Sequence, residues 1–181
     1  MPSPPEIDYD LLNSHIRDVP DFPKPGIVFK DITPLCAHAG AFRHFIDLLA
    51  SHYGPQKPDV LVGIDARGFL FAGALGYVLG TGVVLVRKKG KLPSDSLSAT
   101  YDLEYGSATL ELHRDAIQPG QRVVILDDLL ATGGTVAATL SLCRQLGAEV
   151  IGCGFLIELG FLNGRAKLAG TPVFAPLQVK G

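Results

Sequence analysis

The stretch VVILDDLLATGGT, Val123–Thr135, constrains this chain more than any other. An apolar run ends abruptly in two aspartates, and a loop of small and hydroxylated residues follows. The run reads as a buried strand and the loop as a turn into a helix. Backbone N–H groups of Thr132, Gly133, Gly134 and Thr135, two hydroxyls and a helix N-terminus together suit a phosphate dianion. For ATGGT alone, an ordinary strand-to-helix turn stays open. Two carboxylates aimed at a phosphate would repel it. Placed at the strand end, Asp127 and Asp128 instead suit the hydroxyls of a sugar, and they also attract Mg²⁺, directly or through water. The motif fits a ligand with a phosphate at one end and a ribose in the middle.

Other phosphate motifs are excluded. No G-x-x-x-x-G-K-[ST] is present, because Gly90-Lys91 is followed by Leu92 and lacks the earlier glycine. No strand leads into G-x-G-x-x-G either.

Around the motif, strands alternate with helices. Helical spacing covers YDLLNSHI and AGAFRHFIDLLASHY, where Phe42, Phe45, Ile46 and Leu49 share a face. The strand DVLVGI, the turn DARG, the helix FLFAGALGYVL and the strand GVVLVRK follow. Later strands are expected over ATLELH, RVVIL, AEVIGCGFLIEL and PVFAPLQV, with a helix over TVAATLSLCRQLG. Prolines 20, 23 and 25 make PDFPKPG a loop. Lys88 to about Ser98 is polar, with Gly90 and Pro93, and reads as a mobile segment. The alternation implies an α/β fold with a central, mostly parallel sheet flanked by helices.

At 181 residues with 47% hydrophobic content, one domain with a substantial core is the simplest reading. A net charge of −2 offers no general attraction to nucleic acid, and RKKGK, 87–91, is the sole basic cluster. Three cysteines without metal spacing fit a reducing compartment. MPSPPEIDYD has no basic region before an apolar core, so no secretory signal is expected. The uncharged run 69–86 has about the length of a membrane span. Glycines 76, 80 and 82 interrupt it, and it reads as a buried helix, turn and strand. A cytoplasmic protein with no membrane partner is expected.

The motif resembles the 5-phosphoribosyl 1-diphosphate (PRPP) signature of type I phosphoribosyltransferases. DFPKPGIVFKDITP, GIDARGFLF, VRKKGKLP, YDLEYG, AIQPGQRV and LIELGFLNGR extend the likeness from about Asp21 to Leu177, and make it specific for the adenine phosphoribosyltransferases. The resemblance implies a single domain over 1–181, with a small hood over the base from roughly 20–35 plus the C-terminal segment. It also implies a flexible loop at roughly 88–106. The implied reaction is purine salvage: adenine and PRPP give AMP and diphosphate, with Mg²⁺ as cofactor, in a homodimer.

Residue roles follow by the same resemblance. Ala131, Thr132, Gly133, Gly134 and Thr135 hold the phosphate, and Asp127 and Asp128 the ribose. Asp65, Ala66, Arg67, Arg87 and Lys91 hold diphosphate, Arg87 from the neighbouring subunit, with a cis peptide at Asp65–Ala66. Arg67, Glu104 and Tyr105 are catalytic, Glu104 as the acid–base group beside adenine N7. Val28, Lys30 and Leu159 form the adenine pocket, Val28 through its backbone. Ala66 stands where many relatives have Ser, and Lys30 where arginine is common, so a planar guanidinium is lost. No protein group besides Asp127 and Asp128 suggests a metal site; Mg²⁺ is expected mainly through PRPP and water. Two other readings stay open: a PRPP-sensing regulator, and a transferase for hypoxanthine, guanine or orotate. The 6-oxopurine enzymes carry an acid at the position of Ala131, which argues against them.

Overall fold

The computed structural model describes residues 5–102 and 106–180. In chain order these form α1 (Tyr9–Asn13), β1 (Arg17–Pro20), β2 (Val28–Asp31), α2 (Thr33–Ala37), α3 (Ala39–Tyr53), β3 (Val60–Ile64), α4 (Gly68–Leu79) and β4 (Gly82–Lys88). There follow β5 (Ser96–Asp102), β6 (Ser107–His113), β7 (Arg122–Leu126), β8 (Leu129–Leu130), α5 (Gly134–Gln145), β9 (Glu149–Gly154), β10 (Ile157–Leu159), β11 (Val173–Phe174) and β12 (Leu177–Val179).

A seven-stranded sheet runs in the order β11-β9-β7-β3-β4-β6-β5. Its first five strands are parallel, and β6 and β5 are antiparallel additions at one edge. Every residue of β3 is buried, as expected where helices cover both faces of a parallel strand. Alternate residues serve opposite layers. Leu61, Val124 and Leu126 pack with Phe45, Leu49, Phe71 and Leu75 of α3 and α4. Val62, Ile64, Val123 and Ile125 pack with Val136, Leu140 and Leu142 of α5. Two small sheets, β1-β2 and β12-β10-β8, lie outside this frame.

Three differences from the sequence reading have physical causes. The expected strand over 148–159 divides, because the N–H groups of Leu156 and Ile157 both bond the Asp128 carbonyl, at 3.0 and 3.1 Å. The chain thereby leaves β7 and joins β8. The strand over 172–179 breaks at Pro176, which has no ladder donor. Residues 96–102, read partly as a polar loop, form an edge strand paired without interruption to β6. Leu97, Ala99 and Tyr101 pack inward while the polar residues between them face solvent.

Candidate active site

Strand β3 is followed spatially by β4 on one side, whereas β7 is followed by β9 on the other. The gap between the C-terminal ends of β3 and β7 is therefore the switch point of the parallel sheet, where such folds bind ligands. A cavity of about 370 Å³ lies there, lined by Asp65, Ala66, Arg67, Lys88, Tyr101, Leu110, Asp127, Asp128, Leu129 and Thr135.

Two backbone features build it. The Asp65–Ala66 peptide is cis, as expected. At Gly68 an added Cβ would stand 2.4 Å from the Leu126 carbonyl oxygen, so only glycine lets α4 begin against the end of β7. That approach brings Arg67, the residue before α4, to Asp128. The Arg67 Nε donates to Asp128 Oδ2 at 2.5 Å, and the guanidinium lies 5.4 Å from the Phe29 ring centre. Asp128 is almost fully buried, while Arg67 is half-exposed toward the cavity. Asp127 accepts the Asp128 N–H at 2.9 Å. Burial first, and then the adjacent Asp128 carboxylate, raise the Asp127 pKa well above the ordinary carboxylate range.

Beyond the aspartates, Gly133 takes φ +79° and caps α5, so the helix N-terminus opens beside the cavity. Thr135 Oγ1 donates to the Tyr101 hydroxyl at 3.1 Å, and the Tyr101 ring covers Gly134. Ala131 and Gly133 are backed by Gly164 from behind.

The cavity thus unites Asp65, Ala66, Arg67, Asp127, Asp128 and Thr135. Other expected residues lie elsewhere. Arg87, expected to reach a neighbouring subunit's site, donates Nε to Asp65 Oδ2 of its own chain at 3.2 Å. Lys88, which the sequence reading passed over, lines the cavity, whereas the Lys91 carbonyl accepts from Arg87 Nη1 at 3.4 Å. The Lys30 ammonium is held by both oxygens of Asp18, at 2.7 and 2.8 Å, beside Asn13, Ile16, Ile157 and Leu177 rather than at this cavity. Phe29, next to it on β2, is the side chain that meets Arg67, and strand alternation could have found it. Val28 stands opposite Pro20, which has no N–H to offer its carbonyl. Leu159 is partly buried against the α3–α4 layer. Glu104 and Tyr105 lie outside the described residues. Tyr101 escaped notice although YDLEYG begins with it.

A model of the phosphoribosyl transferase domain matches residues 33–170. An adenine phosphoribosyltransferase of Pelobacter propionicus is 57% identical over 166 residues, which cover 92% of this chain and 96% of that protein. The chain belongs to the adenine phosphoribosyltransferase family. The family's fold is shared in full. The adenine phosphoribosyltransferase structure from Thermoanaerobacter pseudethanolicus superposes with a TM-score of 0.91 at 50% identity, covering 94% of this chain and 99% of that one. The Saccharomyces cerevisiae structure, complexed with an imino-altritol bisphosphate and adenine, gives 0.89 at 42% identity, covering 93% and 97%.

Proposed function

We propose that the protein transfers the phosphoribosyl group of PRPP to N9 of adenine, giving AMP and diphosphate. The observation that carries this reading is the meeting of Arg67, the Asp127–Asp128 pair and the start of α5 in one cavity at the switch point. Each end of PRPP finds its complement there. The 5′-phosphate takes the N–H groups and hydroxyls of Ala131 to Thr135, and the ribose hydroxyls take Asp127 and Asp128. Diphosphate lies toward Asp65, Ala66 and Arg67, with Arg87, Lys88 and Lys91 on the adjoining turn.

The chemistry breaks the bond from C1′ to the diphosphate oxygen and forms the bond from C1′ to N9, while the imidazole proton, carried on N7, passes to Glu104. Cationic side chains at Arg67 and the 87–91 turn stabilise the leaving diphosphate as its charge develops. Glu104, sharing a proton with N7, makes N9 more nucleophilic, with Tyr105 beside it. The Val28 carbonyl accepts the adenine amine, and the Val28 N–H meets N1. A hood of β1, β2 and the C-terminal strands holds the base, with Leu159 on its face. Lys30 keeps a positive charge in this hood but lacks the planar guanidinium of an arginine, and its ammonium is paired with Asp18. The segment 88–106 closes over the bound substrate.

Mg²⁺ would be held mainly by PRPP itself and by water. Among the described residues no cluster of three or more His, Cys, Asp or Glu forms a ready-made metal cage. The cavity carboxylates Asp65, Asp127 and Asp128 fit contact to the ion through its water shell. When bound, the ion neutralises charge on the leaving diphosphate.

A homodimer is supported by α4, whose outer face leaves Leu70, Tyr77 and Val78 exposed beside Val83 and Leu85 of β4. Arg87 shares that β4 face by strand alternation, which keeps a contribution across the interface in reach. A cytoplasmic setting is supported by free Cys36, Cys143 and Cys153. Among the described residues no helix is long and apolar enough to cross a membrane.

The test is AMP formation from PRPP and adenine with Mg²⁺, against hypoxanthine, guanine and orotate. Turnover of another base at a comparable kcat/KM would replace adenine as the substrate.

A further inference from the structure

Outside the cavity, a buried carboxylate is paired with an arginine whose side chain is 43% exposed. Glu158 of β10 is 6% exposed and lies in register with Leu130 of β8, at the entry to the phosphate loop. Its two oxygens accept from Arg165, Oε1 from Nε at 2.7 Å and Oε2 from Nη2 at 2.6 Å. The third contact of the guanidinium is Nη1 donating to the Val173 carbonyl at 3.4 Å. Arg165 belongs to the short helical turn Gly164–Leu168, which follows β10 in the chain.

That turn meets the phosphate loop backbone to backbone. An added Cβ at Gly164 would stand 2.2 Å from the Ala131 oxygen and 3.1 Å from the Gly133 nitrogen. One added at Gly133 would stand 2.4 Å from the Gly164 oxygen. No flexible side chain intervenes to absorb a shift. The path of Ala131–Gly133, and so the aim of the α5 N-terminus, is set by where Gly164 sits. Gly164 is in turn held by its neighbour Arg165. If the turn lifted, the buried Glu158 carboxylate would lose the guanidinium that holds both of its oxygens, which costs more than losing a pair exposed on both sides.

We infer that Glu158 and Arg165 are positioning residues for the 5′-phosphate nest, acting through Gly164 on the backbone of Ala131–Gly133. The inference rests on the proposed phosphate site. Neither side chain touches the ligand, so the role shows in the phosphate's contribution to binding and not in base or ribose contacts.

The experiment compares AMP with adenosine, which differ only in the 5′-phosphate, by calorimetry on the full-length protein and on Glu158→Gln. Gln keeps the side chain's size and removes its charge. The unmodified protein prefers AMP, and Glu158→Gln lowers the AMP-to-adenosine affinity ratio at least fivefold. A general loss of structure would weaken both ligands and preserve the ratio, and that result overturns the inference, as does an unchanged ratio with unchanged affinities. Arg165→Lys, which keeps the charge but not the two-pronged fork, serves as the second variant and answers the same question if Glu158→Gln does not fold. Absence of an AMP preference in the unmodified protein would instead overturn the phosphate site itself, and this inference with it.

Discussion

Arg67 and Asp128 bind each other across the switch point, Nε to Oδ2 at 2.5 Å, joining the start of α4 to the end of β7. The partners are unequally placed, with 47% of the Arg67 side chain exposed against 4% of Asp128. Water screens the arginine, so the pair's significance lies in the carboxylate that it neutralises. Removing Arg67 would leave the buried Asp128 carboxylate without this partner, at a cost that the exposure of Arg67 holds below that of a fully buried pair. Removing the charge of Asp128 is milder for the fold.

Asp128→Asn is therefore expected to fold while losing its grip on PRPP. Charge-assisted bonds to hydroxyls contribute about 1.5–3 kcal/mol each, so kcat/KM for PRPP should fall by about 10- to 150-fold. Circular dichroism checks the fold and steady-state kinetics the loss. An unchanged kcat/KM in a folded variant removes Asp128 from the ribose site.

Asp127 yields a pH prediction of opposite sign to the usual aspartate. Burial and then the Asp128 charge raise its pKa in the folded state above 3.8. The folded protein therefore holds this proton more tightly than the unfolded chain does. The associated stability is present at low pH and is lost as pH rises through the folded-state value. Asn at this position has no proton to lose and still accepts the Asp128 N–H. Asp127→Asn should thus melt higher than the unmodified protein at pH 7–8, with the gap closing toward pH 4, and should be less active. Thermal melts across that range decide it, and a gap that widens on acidification contradicts the assigned sign.

The frame was legible in the sequence and the site only in part, for physical reasons. Apolar periodicity gave α3 over Ala39–Tyr53 and β4 over Gly82–Lys88, because buried faces impose the pattern. Strand β5 was hidden by its solvent face, although Leu97, Ala99 and Tyr101 alternate correctly. Within the site, residues fixed by the local backbone, such as Arg67 and Asp128, could be read from short motifs. Where a side chain points depends on partners distant in sequence. Lys30 turns to Asp18, twelve residues away, and Thr135 meets Tyr101, thirty-four away. Gly164 likewise looked like one residue of a family motif until the fold set it against Ala131.

The Thr135–Tyr101 bond leads to a third expectation. The Thr135 hydroxyl has one proton, and it cannot donate to Tyr101 and to a 5′-phosphate together. A neutral hydrogen bond contributes about 0.5–1.5 kcal/mol, so Tyr101→Phe should lower KM for PRPP by about two- to tenfold. A higher KM would show the tyrosine hydroxyl to be a phosphate ligand instead of a competitor.

Base choice and catalysis should separate. Adenine offers a donor and an acceptor at the edge where hypoxanthine offers the reverse, so main-chain groups of Val28 in the proposed role would discriminate between them. Val28→Ala should keep the preference for adenine. In the proposed reading Glu104 serves N7, which both bases share, so Glu104→Leu should lower kcat with adenine by about 10²- to 10⁴-fold without admitting hypoxanthine. Near-full kcat, with chemistry shown to be rate-limiting, would remove Glu104 from the acid–base role.

The outer face of α4 carries the last prediction. Tyr77 is 91% exposed, and Leu70 and Val78 are about half exposed on the same helix, with Val83 and Leu85 nearby on β4. A lone exposed apolar residue is ordinary, but a contiguous group marks a contact surface. In a dimer closed through this face, a charge at Tyr77 would be buried against apolar side chains without a partner. Tyr77→Glu should therefore convert the protein to monomer in sedimentation equilibrium without unfolding it, since the side chain makes little contact within its own chain. Activity should fall with dimerisation if Arg87 serves the neighbouring subunit's diphosphate, and should survive if the Arg87–Asp65 contact within one chain is the working one. A variant that remains dimeric would move the interface to another face of the molecule.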